Sequence, residues 1–254
     1  VNGVVKKTAL EKFKHLRRRG IISINLDEGD ELIDAQLTDG NQQVLLSSRA
    51  GMACRFQETD VREMGRATHG VRGMELRDAK KEKLVTNIVA MTIVDPEADL
   101  LVVTEKGMGK RTHIGTGIAE QDKDIIGGYR LTRRGGKGII SIKLREDDAV
   151  IAALQVTEGD ELLMTSVNGQ MVRISVDDIR PIGRNSQGVR IMRLREDDRI
   201  SSVSLIAEMD EPEEEDTEAE GNGDGDKPIT PTAPPVEAED AEESEESGDT
   251  SALT

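Results

Sequence analysis

The sequence predicts an all-β fold: a propeller-like array of about four-stranded blades, incomplete at its N-terminus and followed by a disordered acidic tail. Three observations predict it. Two short units each recur four times in fixed alternation, alternating apolar runs joined by tight turns fill the intervals, and the composition changes abruptly at Glu208.

The first unit is a turn glycine, about three residues, a basic residue, and then a β-former or small polar residue. Its copies are residues 2–8, 50–56, 106–112 and 168–174, with turn glycines Gly3, Gly51, Gly107 and Gly169. The second unit occupies residues 19–26, 69–76, 137–144 and 187–194, with glycines Gly20, Gly70, Gly138 and Gly188. Two registers that repeat together define a period of roughly 50–60 residues, close to that of propeller blades.

Between the units, residues 32–37 lead through a turn at 39–41 into 44–48. Residues 150–156 lead through 158–160 into 162–166. Such pairs read as short antiparallel strands joined by tight turns. Each period then holds about four strands. A chain of β-sandwiches is the alternative, but roughly 50 residues is short for one. Helix is confined to single turns at 9–13 and 176–179, which read as blade connectors.

Later copies of the first unit follow a strand, at 45–47, 101–103 and 162–164, whereas only Val1 precedes the first copy. A hairpin lacking one strand leaves backbone groups unpaired, so the chain is expected to begin inside a hairpin. Residues 200–206 read as the opening strand of a further period. The domain organisation expected is a partial propeller-like array over 1–207 and a disordered tail over 208–254. The tail is rich in acid and proline and poor in large apolar residues, so it cannot bury enough surface to offset its ordering entropy.

Aromatic residues are nearly absent, only Phe13, Phe56 and Tyr129, so the core must be aliphatic. A platform that stacks single-stranded bases is correspondingly disfavoured. The one cysteine, Cys54, sits in an alternating stretch and reads as a packed small residue. It cannot form an internal disulfide, which fits a reducing cytoplasm. Tyr129 follows Gly127-Gly128 and reads as a loop residue. No apolar run approaches the ~20 residues of a membrane span, and no signal peptide is visible.

Charge is segregated. Residues 208–254 carry 19 acidic residues and one basic residue, a net −18; the remaining 207 carry 31 acidic and 33 basic residues, a net +2. The basic residues recur with the units. The first supplies Lys6, Lys7, Arg55, Lys110, Arg111 and Arg173. The second supplies Arg17, Arg18, Arg19, Arg66, Arg72, Arg133, Arg134, Lys137, Arg184, Arg190 and Arg193. In a radial array equivalent positions lie at equivalent radii, so the repetition predicts a cationic belt along one edge. Such a belt suits bent duplex DNA held through its phosphates. The bland reading is solvated charge on surface strands.

The densest segment, residues 132–138, combines Arg133, Arg134 and Lys137 with three glycines, a loop a phosphate can approach closely. It lacks the spacing of a nucleotide P-loop, and Gly115-Thr116-Gly117 lacks the third glycine of a dinucleotide fingerprint. His15, His69 and His113 are far apart without metal-ligand spacing. No catalytic constellation stands out. A β-propeller scaffold for protein partners remains the alternative of a different class.

Residues 2–8, 70–73, 107–112 and 183–189 resemble blade signatures of the C-terminal domain of the DNA gyrase A subunit, a component of a type IIA topoisomerase. The resemblance covers about 1–207 and extends to the acidic tail. It implies a pinwheel normally of six blades, of which this chain holds about four, that wraps DNA around its rim and so supports ATP-dependent negative supercoiling. It implies as partners the remainder of the gyrase A subunit, together with the gyrase B subunit, in an A2B2 heterotetramer. Strand cleavage, ATP and Mg are implied to belong elsewhere in that assembly, with no cofactor, catalytic residue or metal in this chain. The family's box, Gln-Arg-Arg-Gly-Gly-Lys-Gly, normally lies in the first blade. Here the similar segment begins with Thr132 and falls in the fifth, counted back from the C-terminus, so the genuine box is expected to precede this chain. The matching domain of topoisomerase IV, which bends DNA without wrapping it, is the near alternative.

Overall fold

The turn glycines Gly51, Gly107 and Gly169 each close a hairpin, and these hairpins are the blades' centres. The computed structural model describes residues 1–15, 18–76, 86–118, 121–122 and 128–206; the expected tail at 208–254 and Arg17 lie outside them. Thirteen strands are described: β1 (Val4–Val5), β2 (Gln43–Ser48), β3 (Met52–Gln57), β4 (Val71–Arg72), β5 (Ile88–Ile93), β6 (Asp99–Thr104), β7 (Met108–His113), β8 (Ile139–Ile140), β9 (Val150–Val156), β10 (Glu161–Ser166), β11 (Met171–Ser175), β12 (Val189–Arg190) and β13 (Ile200–Ile206). Three-residue or four-residue 3-10 turns at Leu10–Phe13, Glu58–Asp60 and Val176–Asp178 are the only helical elements among the described residues.

The strands form two four-stranded sheets, β5-β2-β3-β8 and β9-β6-β7-β12, a three-stranded sheet β13-β10-β11, and a pair β1-β4. Every described ladder is antiparallel. The second unit supplies the closing strand of three of the four sheets, and it comes from the following period: β4 pairs with β1, β8 with β3 and β12 with β7. Each of these three blades is thus completed by its successor, which interlocks neighbours through backbone hydrogen bonds.

This interlock explains the glycines. Gly51 O accepts from Ser141 N at 2.8 Å and Ile142 N at 3.2 Å, and Gly107 O accepts from Ile191 N at 2.9 Å and Met192 N at 3.2 Å. Gly107 has φ +80, and a Cβ there would lie 2.3 Å from Met192 O. Only glycine satisfies both the left-handed turn and the close approach of the closing strand.

Core packing follows the period-2 alternation of strands. Along β2, Leu45 enters one apolar cluster with Leu100, Val102, Ile114, Tyr129 and Ile142, while Val44 and Leu46 enter another with Cys54, Phe56, Met74, Leu76 and Ile88. Along β6, Leu100 and Val102 share the first of these clusters, and Leu101 and Val103 join Leu162, Met164, Val176 and Met192 in a third. Both faces of these inner strands are covered, so they read as continuous apolar runs. Each fully buried Leu or Val contributes about 1.5–3 kcal/mol.

One expectation needs correction. Residues 32–37 form no strand. Their counterparts β5, β9 and β13 each pair with the strand preceding a turn glycine, and among the described residues no such strand precedes Gly3 to receive them. Tyr129 lies outside the strands, as expected, and is fully buried, its hydroxyl 2.8 Å from Ser141 Oγ. Cys54 is buried as expected.

Candidate nucleic-acid interface

The cations of the first unit point into the blade joints. Lys6 donates to Ser23 O and Arg66 O. At the equivalent place two periods on, Lys110 is wholly buried and donates to Gly183 O at 2.9 Å, to Arg184 O, and to Ser186 Oγ at 3.3 Å. Burial, with Arg184 nearby, pulls its pKa down to about 8. In the intervening period Cys54 takes this place, its Sγ against Thr132 Oγ1 and Arg133 O.

The next position behaves alike. Lys7 donates to Glu58 O at 3.1 Å. Arg55, 1% exposed, donates to Gln43 Oε1 at 2.6 Å and to the carbonyls of Gly115 and Tyr129 at 2.8 Å; burial lowers its pKa to about 10. Arg111 lies 3.6 Å from Asp99 and 3.9 Å from Asp177. Arg173 is exposed but paired with Glu161. The expected contribution of the first register to an outward belt is therefore corrected: Lys6, Arg55, Lys110 and Arg111 are ties between blades, Lys7 is anchored on Glu58, and Arg173 is held by a carboxylate. A buried cation needs such acceptors to offset lost hydration, and backbone carbonyls of the next period supply them to Arg55 and Lys110.

The second register behaves differently. The residue four before each closing glycine is Arg66, Arg134 or Arg184, and each reaches the carbonyl two after the preceding closing glycine. Arg66 Nη1 donates to Ile22 O at 3.5 Å, Arg134 Nη1 to Arg72 O at 3.1 Å, and Arg184 Nη1 to Ile140 O at 3.1 Å. Backbone bonds repeat beside them: Asn25 N to Thr68 O at 3.1 Å, Glu75 N to Gly136 O at 2.9 Å, and Lys143 N to Ser186 O at 2.9 Å. Each loop thus rests on the second unit before it, and successive loops run along one edge of the array. A guanidinium carries five N–H donors, so a carbonyl tie of this kind does not exhaust its capacity for a phosphate.

Other cations line the same loops and closing strands. Arg18, Arg19, Arg133, Lys137, Arg190 and Arg193 are exposed, with no carboxylate partner among the described residues. Arg72 is exposed and paired with Glu75 at 2.6 Å. A further set was missed by reading the sequence forward from each glycine. Lys12, Arg62, Arg130 and Arg180 stand eight residues before the four closing glycines, and all are exposed. Their fixed offset was the available signal. Lys12 pairs with Glu63 at 2.6 Å.

Residues 132–138 carry two roles. Arg134 also donates from Nε to Asp60 O at 2.9 Å, and Gly135 N donates to Gly73 O at 2.6 Å. A Cβ at Gly138 would lie 2.3 Å from Ala53 O. That glycine serves the approach of β8 to β3, while Arg133 and Lys137 face solvent. The buried ring of Tyr129 has Arg184 5.9 Å from its centroid and is closed to a nucleobase. No group of three potential metal ligands occurs among the described residues, and no described helix is long and apolar enough to cross a membrane.

The family model described as DNA gyrase C-terminal domain, beta-propeller, matches residues 1–39, 42–86, 98–116, 126–157 and 160–207. The DNA gyrase A subunit of Haloquadratum walsbyi is 39% identical over 219 residues, covering 85% of this chain and 24% of that protein. The DNA gyrase A subunit of Escherichia coli (strain K12) is 38% identical over 231 residues, covering 91% and 24%. The chain spans about a quarter of the length of these relatives. Among solved structures, a DNA gyrase A C-terminal domain superposes with a TM-score of 0.64 at 27% identity, covering 80% of this chain and 62% of that one. The C-terminal domain of a DNA topoisomerase IV gives 0.69 at 25% identity, covering 81% and 59%.

Proposed function

From the premise that this chain belongs to the DNA gyrase C-terminal domain family, we propose that it binds and wraps duplex DNA along the edge built by its closing loops. The observation that carries this reading is the thrice-repeated arginine tie. Arg66, Arg134 and Arg184 each lean on the preceding second unit, so cations of successive blades follow one another along a single edge. Contacts of this kind go to phosphates and carry little sequence information. Bending 20–30 base pairs costs on the order of 1–6 kcal/mol, and many phosphate contacts offset it.

In this reading Arg18, Arg19, Arg62, Arg66, Arg72, Arg130, Arg133, Arg134, Lys137, Arg180, Arg184, Arg190 and Arg193 form the track, with Arg17 beside them in sequence. The chain works as part of the gyrase A subunit, which joins the gyrase B subunit in an A2B2 assembly in the cytoplasm. It presents DNA to a cleavage site, and to ATP and Mg chemistry, that lie in other parts of that assembly. The curated relatives named above are gyrase subunits, which favours wrapping over the bending assigned to topoisomerase IV.

The test is DNA affinity as a function of salt. Removing one phosphate contact reduces the slope of log K against log salt by about 0.9. The triple variant Arg62→Ala, Arg130→Ala, Arg180→Ala is expected to flatten that slope by up to about three, whatever the DNA sequence. An unchanged slope with weakened binding would place the track on another face.

A further inference from the structure

The arginines of the track differ in what stands behind them. Arg66, Arg134 and Arg184 make the same carbonyl tie, but the residue of the first register that faces each loop is Lys6, Cys54 or Lys110. Lys6 donates to Arg66 O and is half-buried, so water still shares the hydration of its ammonium. Cys54 presents a buried thiol to Arg133 O and Thr132 Oγ1, and burial pushes that thiol's pKa up, so no charge stands behind Arg134. Of the three, only Lys110 combines full burial with a cationic side chain.

Lys110 and Arg184 are cations of one loop. Lys110 Nζ donates to Gly183 O at 2.9 Å, to Arg184 O, and to Ser186 Oγ at 3.3 Å, while Ser186 Oγ donates to Gly183 O at 2.9 Å. Arg184 continues outward from the same loop to Ile140 O, passing 5.9 Å from the ring centroid of Tyr129. One charge is therefore dry and the other faces the edge. Burial opposes the ammonium first, and Arg184 opposes it further. The other charged and titratable groups around it do not relieve this. Arg111, the next residue on β7, points to the opposite face, toward Asp99 and Asp177. Tyr129 is bonded to Ser141, and burial pushes its phenol up to about 12. Lys143, whose N–H donates to Ser186 O, has an exposed side chain.

We propose that Lys110 is a positioning residue for the phosphate contact of Arg184, and that seating a duplex phosphate there draws a proton onto Lys110. This role rests on the reading of that edge as a phosphate track. A phosphate on Arg184 brings negative charge to a loop that holds two cations, and so favours the ammonium over the amine. The proton comes from solvent and is taken by the lone pair of the amine nitrogen. The ammonium then offers three charge-assisted donors to the three oxygens around it, where the amine offers two weaker ones. The loop that carries Arg184 is held more firmly in consequence. Linkage makes the effect reciprocal: DNA that raises the proton affinity of Lys110 binds better where protons are available. In the free chain burial and Arg184 bring the pKa of Lys110 down to about 8. The sign is then fixed, and duplex affinity falls as pH rises through that value.

Calorimetric titration of the full chain with duplex DNA, in buffers of different ionisation enthalpy, counts the protons taken up per bound chain. Affinity against pH at fixed salt measures the same coupling independently. Just above pH 8 the wild type is expected to take up a fraction of a proton, its affinity falling by at most about tenfold per pH unit. Lys110→Cys installs the residue that the preceding period carries at Cys54. It is expected to bind more weakly than the wild type below pH 8 and equally well above it, with the salt slope unchanged and the proton uptake lost. Nuclear magnetic resonance of the Lys110 Nζ needs no substitution: the midpoint of its titration is expected to rise when duplex is added. A wild type that binds with a steep salt dependence but takes up no proton, or a Lys110→Cys variant that keeps the wild-type uptake, would overturn the proposal and leave the track standing. Binding that does not respond to salt would remove the track, and the coupling with it.

Discussion

At the scale of single residues, the chain uses cations in two ways, and Lys110 is the sharpest instance of the first. Its ammonium is enclosed by Gly183 O, Arg184 O and Ser186 Oγ, and it holds the loop that carries Arg184 to the edge. Its folded pKa of about 8 lies below the ordinary 10.5, chiefly because burial disfavours the charge. The unfolded chain keeps that proton up to about pH 10.5, so between the two values the unfolded state binds more protons than the folded one. Stability from this group must then rise with pH across that window. Urea unfolding of the wild type against Lys110→Met should show the wild type gaining on the variant from pH 8 to pH 10. The gain is at most about 1.4 kcal/mol per pH unit. A pH-independent difference would mean that Lys110 titrates normally and that its carbonyl cage is not closed.

At the scale of elements, the blade joint is a strand contact made through glycine, and this part of the fold was legible in the sequence. A left-handed turn that another backbone must approach admits little but glycine, so the eight glycines at fixed spacing announced the hairpins and their closing strands. What stayed illegible was the direction of the cations. Residues three and four after a turn glycine lie on opposite faces of one strand, and only a loop arriving from the next period decides that Arg55 and Lys110 are covered while Arg173, with no such loop, stays exposed. The same dependence on a partner left residues 32–37 without their expected strand. The joint itself predicts a ranking of substitutions. Gly107→Ala forces a Cβ to 2.3 Å from Met192 O, while Gly169→Ala, at a similar φ of +81, meets nothing. Both carry left-handed strain of about 1–2 kcal/mol. Only the first also displaces a closing strand and two hydrogen bonds worth about 1 kcal/mol each. Urea unfolding at low protein concentration should therefore place Gly107→Ala roughly 2 kcal/mol below Gly169→Ala. Equal losses would show that the closing strand does not bear on the turn.

At the scale of the whole molecule, the sign of the net charge opposes the function proposed for the track. The chain carries −16 overall, yet residues 1–207 carry +2 and residues 208–254 carry −18. A body so nearly neutral can hold a polyanion only through the arrangement of its cations, not through its total charge, and a tethered run of acid is expected to compete for them. Its effect on duplex binding is expected to scale with the screening length. That length is about 30 Å at 0.01 M salt and about 8 Å at 0.15 M. Deleting 208–254 should accordingly tighten duplex binding, by the largest factor at low salt, with the two affinity curves converging as salt rises. The tail added as a separate peptide should restore the weaker binding only at concentrations far above that of the protein, because tethering gives the attached tail a high effective concentration. Equal affinities of the full and shortened chains at low salt would show that the acid serves solubility alone. The track would then owe its strength to local geometry, such as the tie of Arg134 to Asp60 O and Arg72 O, which holds one guanidinium in register whatever the field of the remaining chain.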